Sequence, residues 1–226
     1  MKRISIFSML LLFCVSLFSQ DFGNEMYQLT QIKKDVKSRQ VSSADKTGGN
    51  GDCLSAIQDG ARVTLMDVKG AGVITHMWIT IAPEAAQLNR NDIIIRMYWD
   101  GNTFPSVEAP IGPFFGNGWN EAYNFISTPL AVTPGWGKSY VCYFSMPFAK
   151  GAKIEIENQT GREISNFYFN INYNEMPQLP GNTGRFHAWY NHEVTKALPD
   201  GENEWGLLGK SGENKYGKDN YIFADI

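Results

Sequence analysis

Between residues 62 and 173 the chain repeats its apolar residues at every second position. Val63 and Leu65 alternate with Arg62 and Thr64. Val73, Thr75, Met77, Ile79 and Ile81 alternate with Ile74, His76, Trp78 and Thr80, and Ile93, Ile95, Met97 and Trp99 alternate with Ile94, Arg96 and Tyr98. Successive side chains of an extended backbone point to opposite faces, so this period predicts strands, some of them covered on both faces. Tyr140 to Met146, Lys153 to Glu157 and Phe167 to Tyr173 continue the pattern, with Ile154 and Ile156 opposing Lys153, Glu155 and Glu157. Many strands with few helices predict an all-β, two-layer sandwich. An aromatic content of 13% and 22 glycines suit such a fold and its close turns.

Punctuation between the strands is equally readable. Asp100-Gly101 closes the third strand with turn chemistry, and Pro105, Pro110 and Pro113 divide the next segment into short extended pieces around a loop at Gly116-Asn-Gly-Trp119. Upstream, Asn24 is a helix N-cap candidate, and Met26, Leu29 and Ile32 come after it at helical spacing, which predicts a short amphipathic helix over 24–35.

The run Arg39 to Asp52 is unlike a core segment. Gly48, Gly49 and Gly51 permit positive φ and close approach, while Ser42, Ser43, Asp45, Thr47, Asn50 and Asp52 offer short hydrogen-bonding groups. Composition leaves two readings open: a binding loop for a polar ligand, or a solvated turn ahead of the first strand.

At the N-terminus, Lys2 and Arg3 precede an apolar run from Ile4 to Phe18, and Ser19 stands before Gln20-Asp21. This predicts a cleaved signal peptide over 1–19 and a secreted or periplasmic protein. The run is shorter than the roughly 20 residues of a spanning helix, and no later segment approaches that length, so no membrane span is expected. A lipid anchor on Cys14 is the rival, although Val15 and the residues before Cys14 fit a lipobox poorly. Removal of Lys2 and Arg3 takes the formal charge from −3 to −5, 18 bases against 23 acids, which lacks the basic footprint of a nucleic-acid binder. Cys53 and Cys142 then remain, either as a disulfide pair or as free thiols. From Met176 to Gly217 the chain is rich in Pro, Gly, Asn and Glu, and a strand-like pattern resumes only at Tyr221 to Phe223. A strand beginning there predicts further sequence to pair with it.

Signatures of several chemistries are missing. His76, His187 and His192 are scattered and the cysteines lie far apart, so neither metal nor other cofactor is expected. No Gly-x-Ser-x-Gly elbow occurs, and Gly48-Gly49-Asn50-Gly51 does not open a helix as a phosphate loop would. Carboxylate chemistry of the glycosidase kind needs two acids roughly 5 to 10 Å apart, and Asp45, Asp52, Glu108 and Glu121 stand in loops or at strand ends. Trp78, Trp119, Trp136 and Trp189 are candidates for sugar stacking, with core packing expected of Trp78 inside its strand. His76 is either a satisfied semi-buried histidine or a ligand-facing donor, and Asn158-Gln-Thr160 is a sequon that matters only in a glycosylating host.

Six blocks occur in order: Ser42 to Asp52, Gly70 to Trp78, Ile95 to Gly101, Pro105 to Gly112 with Phe114-Phe-Gly116, Tyr143 to Phe148, and Gly184-Arg-Phe-His-Ala-Trp189. Together they resemble glycoside hydrolase family 172, formerly domain of unknown function 2961, over roughly residues 38–226. The resemblance implies a double jelly roll assembling as a homotrimer or a dimer of trimers. It implies retaining hydrolysis of carbohydrate substrates of the furanoside class: α-D-fructofuranosides, difructose dianhydride or D-arabinofuranosyl linkages. Family members use two glutamates, in a Trp-Trp-Gly-Glu-Gly-Asp block and a Gly-Thr-Gly-Thr-Glu-Asp-Tyr-Phe block. Neither block occurs in this sequence, and Glu202, Glu204 and Glu213 match neither, so no residue here is assigned a catalytic role.

The expected organisation is therefore a signal over 1–19, a helical segment over 20–37, a first jelly roll over 38–180, and over 181–226 a connector with the start of a second. Asp45, Lys46, Asn50 and Asp52 are the expected ligand-facing loop residues, and His187 and Trp189 the expected wall or stacking residues. Lys46 stands where the family usually has Arg, and Gly51 and Cys53 replace more polar or bulkier neighbours. A Lys lacks the bidentate fork of Arg. The other reading is a non-catalytic carbohydrate-binding or structural jelly roll.

Overall fold

A computed structural model of the chain describes residues 32–119, 121, 123–135 and 138–194. The expected signal, the strand-like stretch at Tyr221 to Phe223, and Cys14, Trp136, Glu202, Glu204 and Glu213 lie outside these residues. Of the expected helix over 24–35, residues 32–35 are described, and they are irregular chain and a turn, with the Val36 N–H donating to the Lys33 carbonyl at 3.3 Å.

Over its described residues from Lys37 to Val194 the chain is an all-β sandwich. One sheet contains β1 (Lys37–Ser42), β2 (Leu54–Ile57), β4 (Ala71–Ala82), β7 (Phe125–Ile126), β8 (Leu130–Val132), β9 (Tyr140–Cys142), β10 (Met146–Phe148) and β12 (Ile164–Met176). Its order is β1-β12-β4-β9-β8-β7, with β2 also on β12 and β10 also on β4. The other sheet runs β13 (Ala188–Trp189), β6 (Val107–Pro110), β5 (Ile93–Trp99), β11 (Gly151–Asn158), β3 (Arg62–Lys69). The chain crosses between sheets from β2 to β3, β3 to β4, β4 to β5, β6 to β7, β10 to β11, β11 to β12 and β12 to β13, the winding of a jelly roll. A one-turn helix, α1 (Ile111–Phe114), comes directly after β6.

The inward set of each strand builds one core. Ile74, Ile93, Ile95, Met97, Val107, Tyr140, Ile154, Ile156, Phe167 and Phe148 are buried in a single cluster with Trp99 and Phe115. Each such side chain contributes about 1.5–3 kcal/mol through removal of apolar surface from water. Cys142 belongs to this cluster, where burial pushes its thiol up to about 11; Cys53 is half-buried, and both thiols are free.

In three places the structure departs from the period-two reading. Arg39 to Ser42, expected in the polar loop, form the end of β1 and pair with Tyr173 to Asn170 of β12. Within β4, His76 partners Asn172 and Ile74 partners Tyr173, so Thr75 is an extra residue and the buried face shifts from Ile74 to Met77 across the bulge. The strand expected over Tyr140 to Met146 is broken at the same level: β9 pairs with Met77 to Ile79, β10 with Gly72 to Ile74, and residues 143–145 leave the ladder opposite the bulge. Trp78, beyond the bulge, is half-buried on the outer face and not in the core cluster.

Candidate functional site

The outer face of the five-stranded sheet gathers most of the charged strand residues. Alternation that turns Ile95, Met97, Ile154 and Ile156 inward turns Arg96, Tyr98, Lys153, Glu155 and Glu157 outward. Register places Arg96 beside Glu108 of β6 and Glu155 of β11, and Glu157 beside Arg62 of β3. Arg96 donates through Nε to Glu108 Oε2 and through Nη1 to Glu157 Oε2 at 2.6 Å, and Arg62 Nε reaches the same Oε2 at 2.6 Å. Tyr98 donates its hydroxyl to Glu155 Oε1 at 2.9 Å, and Lys153 pairs with Oε2 of that carboxylate.

These bonds decide what the carboxylates can do. Glu157 is held down to about 2 by the hydrogen bond from Gln159 and by the guanidinium groups of Arg96 and Arg62. Burial pushes Glu155 up, but the bonds from Lys153 and Tyr98 outweigh it and leave the acid below its ordinary range. A glycosidase general acid must hold a proton near neutrality, which requires the opposite shift. Glu155 and Glu157 therefore lack the raised pKa of a general acid.

Beside this ladder lies a cleft of about 580 Å³ bordered by Arg62, Asp67, Lys69, Tyr98, Lys150 and Glu155. The volume is in the range of small-ligand sites. One wall is the turn Trp99 to Asn102, closed by the Asn102 N–H donating to the Trp99 carbonyl at 3.1 Å with positive φ at Asp100 and Gly101. The Asp100 carboxylate accepts from the N–H groups of Ala149 and Lys150 at 2.6 and 2.7 Å, and from Arg185 Nε at 2.7 Å. Despite burial, those donors hold Asp100 below its ordinary range.

That bond also fixes the last block. Arg185 is tied to Asp100, and the Phe186 carbonyl accepts from Trp99 Nε1 at 2.7 Å. Phe186 and Ala188 pack against the core, so strand alternation turns His187 and Trp189 outward, both exposed. Ala188–Trp189 pairs in parallel with Val107–Glu108, which sets Trp189 beside Glu108 on the outer face. Its ring lies 6.5 Å from that of Phe104, nearly parallel at 13°.

The other expected ligand residues sit elsewhere. Asp45, Lys46, Asn50 and Asp52 come after β1, which packs near β3, whereas β13 is at the far edge of the five-stranded sheet. Four strand spacings of about 4.8 Å, roughly 19 Å, separate β13 from β3 across the sheet. The loop is closed on itself: the Asp45 carboxylate accepts from Thr47 N–H at 2.9 Å, Thr47 Oγ1 at 2.7 Å and Gly51 N–H at 3.1 Å, and Asp45 N–H donates to Asp52 Oδ1 at 2.8 Å. Those bonds from Thr47 and Gly51 lower the Asp45 pKa. A Cβ at Gly49 would stand 2.6 Å from Asp45 Oδ2, so a larger residue there would displace the carboxylate that organises the loop. Lys46 and Asn50 are exposed at the rim.

Remaining candidates divide plainly. His76 is semi-buried on the opposite face, with Nδ1 3.1 Å from Asn172 Nδ2 and its ring 5.1 Å from that of Tyr143; burial lowers its pKa. Trp119 and Glu121 are exposed in the loop after α1. The sequon Asn158 is fully buried, donating to the carbonyls of Ile57 and Arg162 and accepting from Thr160, which leaves no room for a glycan. Arg96, Glu155, Glu157 and Phe104 escaped sequence selection because their partners come from other strands. The outward alternation of Arg96 with Tyr98, and of Lys153 with Glu155 and Glu157, was the available signal. Among the described residues no cluster of three or more His, Cys, Asp or Glu could hold a metal ion, and no helix is long and apolar enough to cross a membrane.

Comparison with known proteins adds a family. The VP2 subviral particle of infectious bursal disease virus is similar at 10% identity over 63% of this chain and 33% of that one, with a TM-score of 0.33. The structure of the Gx strain of the same virus is similar at 13% identity over 65% and 33%, with a TM-score of 0.32. The chain spans about a third of the length of each, and at these scores neither likeness bears on function. No curated protein matches. The GH172 domain-like family model matches residues 53–171, which is β2 through most of β12 and includes Glu108, Arg96, Glu155 and Glu157. This jelly-roll chain, a glycoside hydrolase-related module, belongs to the GH172 domain-like family.

Proposed function

We propose that this chain is the carbohydrate-handling jelly roll of a secreted or periplasmic retaining glycosidase acting on furanosides, with α-D-fructofuranosyl, difructose dianhydride or D-arabinofuranosyl linkages as the substrate class. The observation that carries this reading is the family match over residues 53–171. In it, the jelly roll expected over 38–180, with β13 added at its sheet edge, is the first of two, the protein works as a homotrimer or dimer of trimers, and the catalytic glutamate pair belongs to sequence outside these 226 residues. Lys46, Asn50 and Asp52, in the loop organised by Asp45, contact sugar at one edge, and His187 and Trp189 at the other.

The exposed aromatic pair of Phe104 and Trp189 favours a second reading, a module that grips glycan and breaks no bond. The two are separated by the uninterrupted reading frame, expressed and assayed on p-nitrophenyl fructofuranosides and D-arabinofuranosides. Turnover, lost when the glutamates of the two family blocks become glutamine, is the expected result. A reading frame without those blocks, or no turnover on any furanoside, would overturn the enzymatic reading and leave the binding module.

A further inference from the structure

Phe104 and Trp189 are 73% and 65% exposed, although folding ordinarily removes rings of that size from water. Neither position is dictated by the core. Phe104 lies in the segment joining β5 to β6, and Trp189 is the outward residue of β13, so two different elements bring the rings to a 6.5 Å separation and a 13° interplanar angle. Both elements are fixed from below. The β5–β6 turn is held by Asp100, and β13 by the Trp99 Nε1 bond to the Phe186 carbonyl and the Ala188 N–H bond to the Ser106 carbonyl at 3.2 Å. Exposed rings stacked nearly parallel leave their outward faces to the C–H face of a flat ligand.

The chemistry beside the platform says which ligand. Trp189 is in register with Glu108, whose side chain is 36% exposed, and Arg96 orients its carboxylate by engaging Oε2. A carboxylate accepts hydrogen bonds from hydroxyls and repels anions. An apolar ring face next to a fixed acceptor matches a neutral sugar, stacked by its C–H face and held by a hydroxyl. An acidic glycan or a nucleotide would meet a like charge.

We propose that Phe104, Trp189 and Glu108 form a subsite for neutral glycan that binds without hydrolysing. The proposal rests on the carbohydrate reading above and deepens it at Trp189. It adds Phe104 and Glu108 as contact residues, and it is independent of the catalytic glutamate pair.

The test is affinity electrophoresis of the whole 226-residue chain through gels containing inulin, a neutral fructan, or polygalacturonate, an anionic glycan, with variants W189A, W189F, F104A and E108Q. Inulin retards the wild type and polygalacturonate does not. W189A weakens retardation roughly tenfold, as loss of a stacked ring does, and W189F restores most of it. F104A and E108Q each weaken it severalfold. Because both rings are exposed, W189A and F104A keep the thermal midpoint of the wild type, which separates lost binding from lost fold. Equal retardation of wild type and W189A overturns the proposal, as does equal retardation by polygalacturonate. So does a change of oligomeric mass in W189A with inulin binding intact, which would assign the platform to a protein contact. Furanoside turnover by the full reading frame without inulin retardation of this chain would refute the subsite and spare the enzymatic reading. Retardation without turnover does the reverse.

Discussion

The two outer faces of the sandwich share one backbone rule and differ in chemistry. On the five-stranded sheet the charged outward residues of four strands are Arg62, Arg96, Glu108, Lys153, Glu155 and Glu157, joined by ion pairs. On the other sheet the outward residues around β4 are uncharged amides and rings, with the Arg39–Glu175 ion pair at its β1 end: Gln40 donates to Asn172 at 3.0 Å, Asn172 meets His76, and Asn170 stands in register with Trp78. Alternation fixes which residues leave the core, and it says nothing of what they do outside. The charged face holds orientable acceptors and cations that a hydroxylated ligand can use, whereas the amides of the neutral face are engaged with one another.

Removing a central charge should separate the faces most. Arg96→Ala strips Glu108 and Glu157 of a shared partner that is itself only 12% exposed, and a loss of about 3 kcal/mol is expected in denaturant unfolding. Acid should act on the two faces in different windows. Glu157 has its folded pKa depressed to about 2 from 4.5, so its contribution is complete above the unfolded value and is lost as pH falls from about 4.5 towards 2. His76 is also depressed, by burial, so its neutral form stabilises above 6.5 and that contribution begins to fade as pH falls through 6.5. Melting curves across pH 3 to 8 should therefore have a shallower lower slope in Glu157→Gln and a shallower upper one in His76→Asn, the lower one keeping the share of Glu155, Asp100 and Glu175.

Smaller effects complete the series. Asn172→Ala breaks the bonds to Gln40 and His76 on the neutral face and should cost about 1 kcal/mol. Arg62→Ala removes a side chain that is 56% exposed, and about 0.5 kcal/mol, screened further by 1 M salt, is expected in the same titration. If Asn172→Ala outweighed Arg96→Ala, the division between a cooperative charged face and a locally bonded neutral one would be wrong.

The same physics sets how much of the fold sequence could reveal. β3, β4, β5, β11 and β12 were legible because burial on one side imprints a period of two. β1 was not, since its edge position leaves Lys37 to Gln40 exposed and free of that pattern. The bulge at Thr75 was equally hidden, because a local change of face is set by the partner strand, and it moved Trp78 out of the expected core. In the polar loop, the packing of Gly49 and Gly51 against the Asp45 carboxylate was hidden, because it depends on how the loop closes. The Asn158 sequon proved to be a buried turn. Candidate residues were legible singly, as with Trp189 and Glu108, whereas the ladder uniting Glu108, Arg96 and Glu157 draws on three strands and exists only in register.

The central claim is that glycan is handled on the charged face. Hydrogen exchange of the whole chain with and without a neutral fructo-oligosaccharide tests it directly. The account predicts added protection at residues 103–108 and 187–190, with β4 and β12 unchanged. Protection confined to β4 and β12, or none at either face at saturating sugar, would contradict it.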